Sequence, residues 1–423
     1  QNDAESVYFF SSSISCPSGA MLLHDLLNTI SDMMKKSRGQ AVASLLKQRD
    51  PQWLSAVGNA DVVQYLRHLD GQWPEALGNY VKALYHESRD DYEAALTAST
   101  QAVTSFRKQW QEQYEKEHPK PNWSVPIMAL LLGKYRVLVM TANEMREDKD
   151  NETSTKACNL MTQFFTDCQG DRTQDLDCSR KQGTLYVINN LFKIYFRLNN
   201  MRLGKALIKS VEADGSNTFE RYKMSQKVTY NYFLGRMCMF DNNYQKAEDH
   251  LQYAFANCHR AYTKNKVRIL IYLITVQLVR GQFPKQHILQ KYGLGVFIEL
   301  VRACRTGNVR LFDQTMHTQQ DWFIRRGIYV ILQKAKIICY RNLVYNTYRF
   351  INSHTNINFR LKMEYIQHAL QICEVDEDES DLEEVECILA NLIYSGYIMG
   401  YISHSMRMLV LSKKDPFPNP HAS

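Results

Sequence analysis

Ser380-Asp-Leu-Glu-Glu-Val-Glu-Cys-Ile-Leu-Ala-Asn-Leu-Ile-Tyr-Ser-Gly396 runs straight into Tyr397-Ile-Met-Gly-Tyr-Ile402, a short link Ser403-His-Ser-Met-Arg407, and Met408-Leu-Val-Leu411. Ser380 is a helix-capping residue type, and Glu383, three residues on, is placed to close a capping box. Leu382, Val385, Leu389, Leu392 and Ile393 recur at the helical period. Gly396 stands where a left-handed C-cap glycine belongs. The two β-rich runs that follow read as a hairpin. A helix that stops sharply and feeds a small hairpin, with two helices before it, reads as a winged helix.

Those two earlier helices are expected over 322–352 and 358–372. Ile331, Leu332, Ala335, Ile338, Cys339 and Leu343 share one arc of the first. Lys334 and Arg341 lie seven residues apart at the edge of that arc, with Arg349 near them. Arg360 and Lys362 fall in the first turn of the second helix. Cations there oppose the helix dipole, a small cost that an anion would offset.

Most of the remaining chain reads as helix after helix. Asp91-Tyr-Glu-Ala-Ala95 with Ala102-Val103 matches Asn243-Tyr-Gln-Lys-Ala247 with Ala254-Phe255, and Asn200-Met201 with Gly204 is a fainter copy. Small residues at fixed helical spacing let antiparallel helices approach closely, the logic of tetratricopeptide-like hairpins. The copies are unevenly spaced, so the fold class expected is mainly α: an irregular tetratricopeptide-like α-solenoid ending in a C-terminal winged helix with a small β-hairpin. His118-Pro-Lys-Pro-Asn122, the polar stretch 147–155, the stretch 169–181 and the turn at Asp214-Gly215 divide the helices. Trp53 and Trp73, each beside a proline, read as loops packing on a helical body. Residues 1–75 are the least patterned, apart from helical spacing over 21–36.

The 423 residues carry a formal charge of +7, and its placement matters more than its size. Between Cys258 and Ile372 there are 18 Lys and Arg against Glu299, Asp313, Asp321 and Glu364. The run Glu374 to Glu386 then holds nine carboxylates and no cation. The basic block is a footprint for phosphate or for an acidic protein; a solvated helix surface is the other reading. Ten cysteines are scattered without a C-x-x-C pair, which fits reduced thiols of the nucleus or cytosol. No basic stretch followed by an apolar core opens the sequence from Gln1. The longest apolar stretch, Ile269 to Val279, is 11 residues and includes Thr275 and Gln277; it is too short to span a bilayer, so no membrane insertion is expected.

Catalytic and cofactor patterns are missing. Gly293-Leu-Gly295 lacks the third glycine and the preceding strand of a dinucleotide loop. There is no P-loop, no G-x-S-x-G and no H-E-x-x-H. His250 and His259 lack ligand spacing, and His404 reads as a turn residue. The acidic run lacks calcium-loop spacing and reads as a solvated linker. No cofactor, no metal and no enzymatic activity are expected.

Several separate segments resemble one family. Cys387-Ile-Leu-Ala-Asn-Leu-Ile-Tyr394, Gly400-Tyr-Ile-Ser-His404, and Leu411-Ser-Lys413 with Pro416-Phe-Pro418 carry the likeness at the end of the chain. Upstream it is carried by Asn122-Trp-Ser-Val-Pro126, Asn190-Leu-Phe-Lys-Ile-Tyr-Phe-Arg197, Val228-Thr-Tyr-Asn-Tyr232 and Lys246-Ala-Glu with Tyr253-Ala-Phe255. Asn265-Lys266 with Ile269-Leu-Ile-Tyr-Leu273 and Tyr340-Arg-Asn-Leu343 complete it. The chain resembles, from about 122 to 418, the PCI domain-containing protein 2 family, the PCI subunits of the second transcription-and-export (TREX) complex; residues 1–75 do not share the likeness.

The resemblance implies a PCI fold: an N-terminal helical solenoid over 76–215, a PCI domain over 216–412 (helical repeats 216–320, winged helix 321–412) and a tail over 413–423. It implies a non-catalytic nuclear subunit at nuclear pores, with some cytoplasmic pool. Its implied partners are a GANP-type scaffold, the small acidic split-hand/foot protein, and RNA or double-stranded DNA, in messenger-RNA export. A purely structural subunit of a signalosome- or proteasome-lid-like assembly is the competing reading.

In an ordinary winged helix the third helix enters the major groove, but here it begins Asp381-Leu-Glu-Glu-Val-Glu386, which repels phosphate. Nucleic acid is therefore expected along the flank, held by Arg325, Arg326, Lys334, Lys336, Arg341, Arg349, Arg360, Lys362, Arg407, Lys413 and Lys414. Such backbone contacts select weakly for sequence and respond strongly to salt. No aromatic-and-basic stacking platform of RRM type is expected. Arg260, Lys264, Lys266, Arg268, Arg280 and Lys285 form a second set, suited to an extended acidic peptide; unpaired surface charge is the alternative for these.

Overall fold

The computed structural model describes residues 22–48, 51–58, 60–116, 122–146, 151–173, 175, 178–213, 216–355, 357–373 and 381–419. Ser380 and the first part of the acidic run, the breaker at 118–121, the polar residues 147–150 and the turn at 214–215 lie outside the described residues.

The chain divides into two compact units, 1–233 and 234–423. The expected division at 215 and 216 lies earlier, just before the helix Ser216–Arg221. The helices up to the division are α1 (Leu23–Lys35), α2 (Gly39–Leu45), α3 (Pro51–Val57), α4 (Val62–Tyr65), α5 (Trp73–Ser88), α6 (Tyr92–Lys116), α7 (Val125–Arg146), α8 (Glu152–Gln169), α9 (Thr184–Arg197), α10 (Arg202–Ala213), α11 (Ser216–Arg221) and α12 (Met224–Phe240), within which the division falls. Trp53 and Trp73 are thus helical and buried rather than in loops. Glu152 to Thr155, expected in a loop, open α8.

The repeated Asp/Asn-Tyr pattern is a turn with a cap. Asp90, Asn199 and Asn242 adopt φ of 58°, 52° and 61°, a conformation that Asn and Asp tolerate better than other side chains. The next amide returns five residues back: Asp91 N to His86 O at 3.0 Å, Asn200 N to Tyr195 O at 3.0 Å, Asn243 N to Cys238 O at 2.9 Å. Asp91 Oδ1 then accepts from Ala94 N at 3.1 Å, and Asn243 Oδ1 from Lys246 N at 3.3 Å, capping α6 and the helix that starts at Tyr244. Ala95, Ala102, Ala247 and Ala254 are fully buried, so the small residues sit at the close approach.

Helix α7 is, among the described residues, the one helix long and apolar enough to cross a membrane. Gly133, Lys134 and Arg136 interrupt its apolar run in the sequence. Both cations are buried and engaged: Lys134 pairs with Glu87, and Arg136 Nε donates to Asn190 Oδ1 at 2.9 Å. The helix packs against α2, α6, α8 and α9; it is a core helix.

The second unit continues with α13 (Tyr244–Asn257), α14 (Thr263–Val279), α15 (Gln286–Lys291), α16 (Ile298–Thr306), α17 (Val309–Thr318), α18 (Gln320–Arg325), α19 (Tyr329–Gln333), α20 (Lys336–His354), β1 (Arg360–Lys362), α21 (Met363–Cys373), α22 (Leu382–Tyr394), β2 (Gly400–Ser403) and β3 (Met408–Leu411). The single long helix expected over 322–352 is broken into α18, α19 and α20. Gly327 takes φ 67°, its amide reaches Ile324 O at 2.8 Å, and Ile328 N reaches Phe323 O at 3.0 Å. That closure buries Phe323 and Ile328 completely; a second break, at Lys334 and Ala335 between α19 and α20, removes the seven-residue alignment expected of Lys334 and Arg341.

The hairpin is a three-stranded antiparallel sheet, ordered β1-β3-β2. Arg360 and Lys362 lie on β1 and not in the first turn of a helix, so the helix-dipole argument does not apply to them. Three residues are too few for helical and strand periods to differ in sequence, and pairing with β3 decides the matter. Helix α22 is capped by Asp381 without a side-chain bond. It ends as read: Gly396 has φ 74°, its amide bonds Ile393 O at 3.0 Å, and Tyr397 N bonds Leu392 O at 2.9 Å, the pairing of a Schellman motif.

The residues after β3 fold back onto the winged helix. Met399 N donates to Pro416 O at 2.9 Å and Ser412 N to Met399 O at 2.8 Å. The Phe417 ring sits 5.2 Å from that of Tyr345 and 5.7 Å from that of Tyr348.

Candidate nucleic-acid interface

Strand register sets the two faces of the small sheet. Val410 is opposite both Arg360 and Tyr401, and Met408 is opposite both Lys362 and Ser403. Side chains directly opposite share a face. One face therefore carries Leu361, Leu409 and Leu411, all buried, and packs inward beside α21 and α22. The other carries Arg360, Lys362 and Tyr401 in the open, with Met408 and Val410 half-buried between them. Met399, two residues before Tyr401, is exposed as well. Arg407 turns the corner of the wing at φ 49°, and its carbonyl accepts from Met363 N at 3.0 Å, which places it beside Lys362.

The structure brings together Arg360, Lys362 and Arg407 by strand pairing, with exposed Lys413 and Lys414 just beyond β3. None of the five makes an ion pair with a described residue. Arg325 and Arg349 are exposed on α18 and α20, and Arg349 lies over the Tyr345 ring. Arg326 stacks on Trp322.

Three members of the set are engaged within the fold. Lys334 Nζ donates to Asn242 Oδ1 at 2.7 Å while remaining exposed. Lys336 pairs with Asp313 at 2.8 Å. Arg341 is the clear correction. Its Nη2 donates to Phe417 O and Pro418 O, both at 3.0 Å, and its Nη1 to Asn342 Oδ1 at 2.9 Å. Half-burial pushes its pKa down, yet a guanidinium stays charged, and here it clamps the tail instead of facing a phosphate.

The second basic set is likewise divided. Arg260, Lys264 and Lys285 are exposed. Lys266 Nζ donates to Phe255 O at 2.9 Å and lies over that residue's ring; Arg268 is half-buried. Arg280 is withdrawn: it forms a buried ion pair with Glu248, whose carboxylate also accepts from Gln277 and Gln282. The acid that neutralises Arg280 lies 32 residues away, outside the basic block 258–372.

Helix α22 presents Glu383 and Glu384 to solvent, and Glu386 accepts from His404 Nδ1 at 2.9 Å. Its first turns remain hostile to phosphate. Sequence reasoning missed the outward Tyr401 and its neighbours; alternation of exposure over Met399, Tyr401 and Ser403 was the available signal, but only the register with β1 sets these residues beside cations.

A PCI domain pattern matches residues 289–413. The chain is 38% identical over 343 residues to PCI domain-containing protein 2 of Xenopus laevis, across 80% of this chain and 82% of that protein. The chain belongs to the PCI domain-containing protein 2 family. Its Dictyostelium discoideum homolog is 38% identical over 300 residues, across 70% of this chain and 68% of that protein. The protein named Protein CSN12 homolog in Mycosarcoma maydis is 31% identical over 318 residues, covering 70% of each chain.

PCI-domain proteins are generally non-catalytic scaffold subunits. In this member of the PCI domain-containing protein 2 family, no group of three or more metal-ligating side chains is found among the described residues. Burial pushes the Cys158 and Cys304 thiols up to about 12, far from the thiolate a nucleophile needs.

Proposed function

We propose that this chain is a non-catalytic PCI subunit of a transcription-and-export complex at nuclear pores, where it binds a GANP-type scaffold and the small acidic split-hand/foot protein. Its winged helix supplies a basic surface that holds RNA or duplex DNA by the backbone during messenger-RNA export. The observation that carries this reading is the set Arg360, Lys362 and Arg407, placed side by side and facing solvent, with no carboxylate partner among the described residues. Exposed Arg260, Lys264 and Lys285 are the cations offered to the acidic protein. The recognition helix takes no part in phosphate contact, because its first turn is acidic.

A second reading is favoured by one specific observation, the likeness to the protein named Protein CSN12 homolog: a structural subunit of a signalosome-like assembly that never touches nucleic acid. Affinity purification of the full chain from nuclei separates the two. Recovery of a GANP-type scaffold and of a small acidic protein whose capture fails after Lys264→Glu is the expected outcome. Recovery of signalosome-type subunits alone, with no binding of RNA or duplex by the full chain at low salt, overturns the first reading.

A further inference from the structure

We infer that the outer face of the winged sheet is a stacking platform for an unpaired nucleic-acid strand, with Tyr401 carrying a base and Arg360 and Lys362 holding the adjoining phosphates. This rests on the nucleic-acid reading above and narrows its ligand to single-stranded RNA or DNA.

Three observations meet on that face. The first is the aromatic ring: Tyr401, on β2, is 63% exposed. No described residue stacks on it or accepts a hydrogen bond from it. The second is the register. Arg360, Val410 and Tyr401 form one cross-strand row and Lys362, Met408 and Ser403 the next. At about 4.8 Å between strands, the Arg360 and Tyr401 backbones are about 10 Å apart, and Arg360 and Lys362 are about 7 Å apart along β1. Val410 and Met408 of the middle strand thus separate a ring on one edge from two cations on the other, with exposed Met399 beside the ring's own edge. The third is charge complementarity. The stretches 357–363 and 397–414 hold Arg360, Lys362, Arg407, Lys413 and Lys414, and no carboxylate.

The chemistry that fits this layout is a polyanion with a planar apolar component. A duplex buries its base faces within its own stack, leaving only phosphates for the cations and nothing for the ring. An unpaired strand offers both at once, and stacking is tolerant of sequence because every base has a π-face.

The test is fluorescence anisotropy of the full chain with three probes at low salt: a mixed-sequence single strand, the same length as duplex, and a single strand carrying abasic sites. The expected result is tighter binding of the intact strand than of either other probe. Tyr401→Ala then weakens the intact strand by about 5- to 150-fold, leaves the duplex and abasic probes unchanged, and is rescued by Tyr401→Trp. Tyr401 is exposed, so an unchanged melting curve is expected and excludes misfolding. If Tyr401→Ala binds all three probes like the parent while Arg360→Glu with Lys362→Glu abolishes binding, the platform is refuted and the polyanion surface stands. If the parent chain binds none of the probes, the nucleic-acid reading itself fails.

Discussion

Asp171 shows how one side chain can organise a stretch that sequence assigns only as a loop. Its carboxylate accepts from Thr173 N at 2.9 Å, Thr173 Oγ1 at 2.6 Å, Ser179 Oγ at 2.9 Å and Arg180 N at 2.7 Å. Burial works against its ionisation, but the hydrogen bonds outweigh it and hold the pKa at about 2, below the ordinary 3.8. A carboxyl whose folded pKa lies below its unfolded one stabilises the fold above the unfolded value. That contribution is present above about pH 3.8 and is lost as pH falls through about 2. Asp171→Ala should therefore destabilise the protein at neutral pH by about 1–3 kcal/mol, because several donors lose their acceptor. The deficit relative to the parent should shrink as pH falls towards 2, where the parent's carboxylate is itself lost. Denaturant melts of the two proteins between pH 7 and pH 2 check this; a deficit independent of pH would show that the charge contributes nothing.

At the scale of elements, the repeated copies with their small residues, the glycine stop of α22 and the second β-run were legible because each rests on local chemistry, although the turn and cap within the copies emerge only in the structure. The polar residue at positive φ, the cap three residues before its amide and the αL glycine are short-range devices. What sequence could not supply was long-range. The apolar arc from Ile331 to Leu343 looked continuous but is broken between α19 and α20, and β1 exists only because β3 pairs with it. The tail was set apart at 413, yet it is tied into the winged helix. Phe417 is 9% exposed between Tyr345 and Tyr348, and the Arg341 guanidinium holds the carbonyls of Phe417 and Pro418. This strap should behave as part of the core. Phe417→Ala is expected to cost about 3–5 kcal/mol and to raise amide exchange at Met399 and Ser412, whose backbone bonds tie the tail to β2. Protection at those two amides equal to the parent's would mean that the aromatic contact does not anchor the strap.

The whole molecule's charge was legible as a sum but not as a surface. The basic block between 258 and 372 is partly neutralised inside the fold, by Glu248 on Arg280 and Asp313 on Lys336, while Arg341 is spent on the tail. Among the cations of that block that remain outward are Arg260, Lys264 and Lys285, and Arg360 and Lys362, which Arg407 joins from the wing. Salt dependence distinguishes surface cations that meet phosphate from those that do not. Each phosphate contact releases counterions and adds about 0.7 to 0.9 to the slope of log affinity against log salt. Replacing Arg360, Lys362 and Arg407 by Ala should thus lower the magnitude of that slope by about 2 to 3. Replacing Arg260, Lys264 and Lys285 should leave it unchanged, because those cations are assigned to an acidic protein. Binding titrations of the full chain from about 50 to 200 mM salt measure both. Equal loss of slope from the two triple variants would merge the two basic sets into one nucleic-acid track, and the acidic protein would then need a different surface.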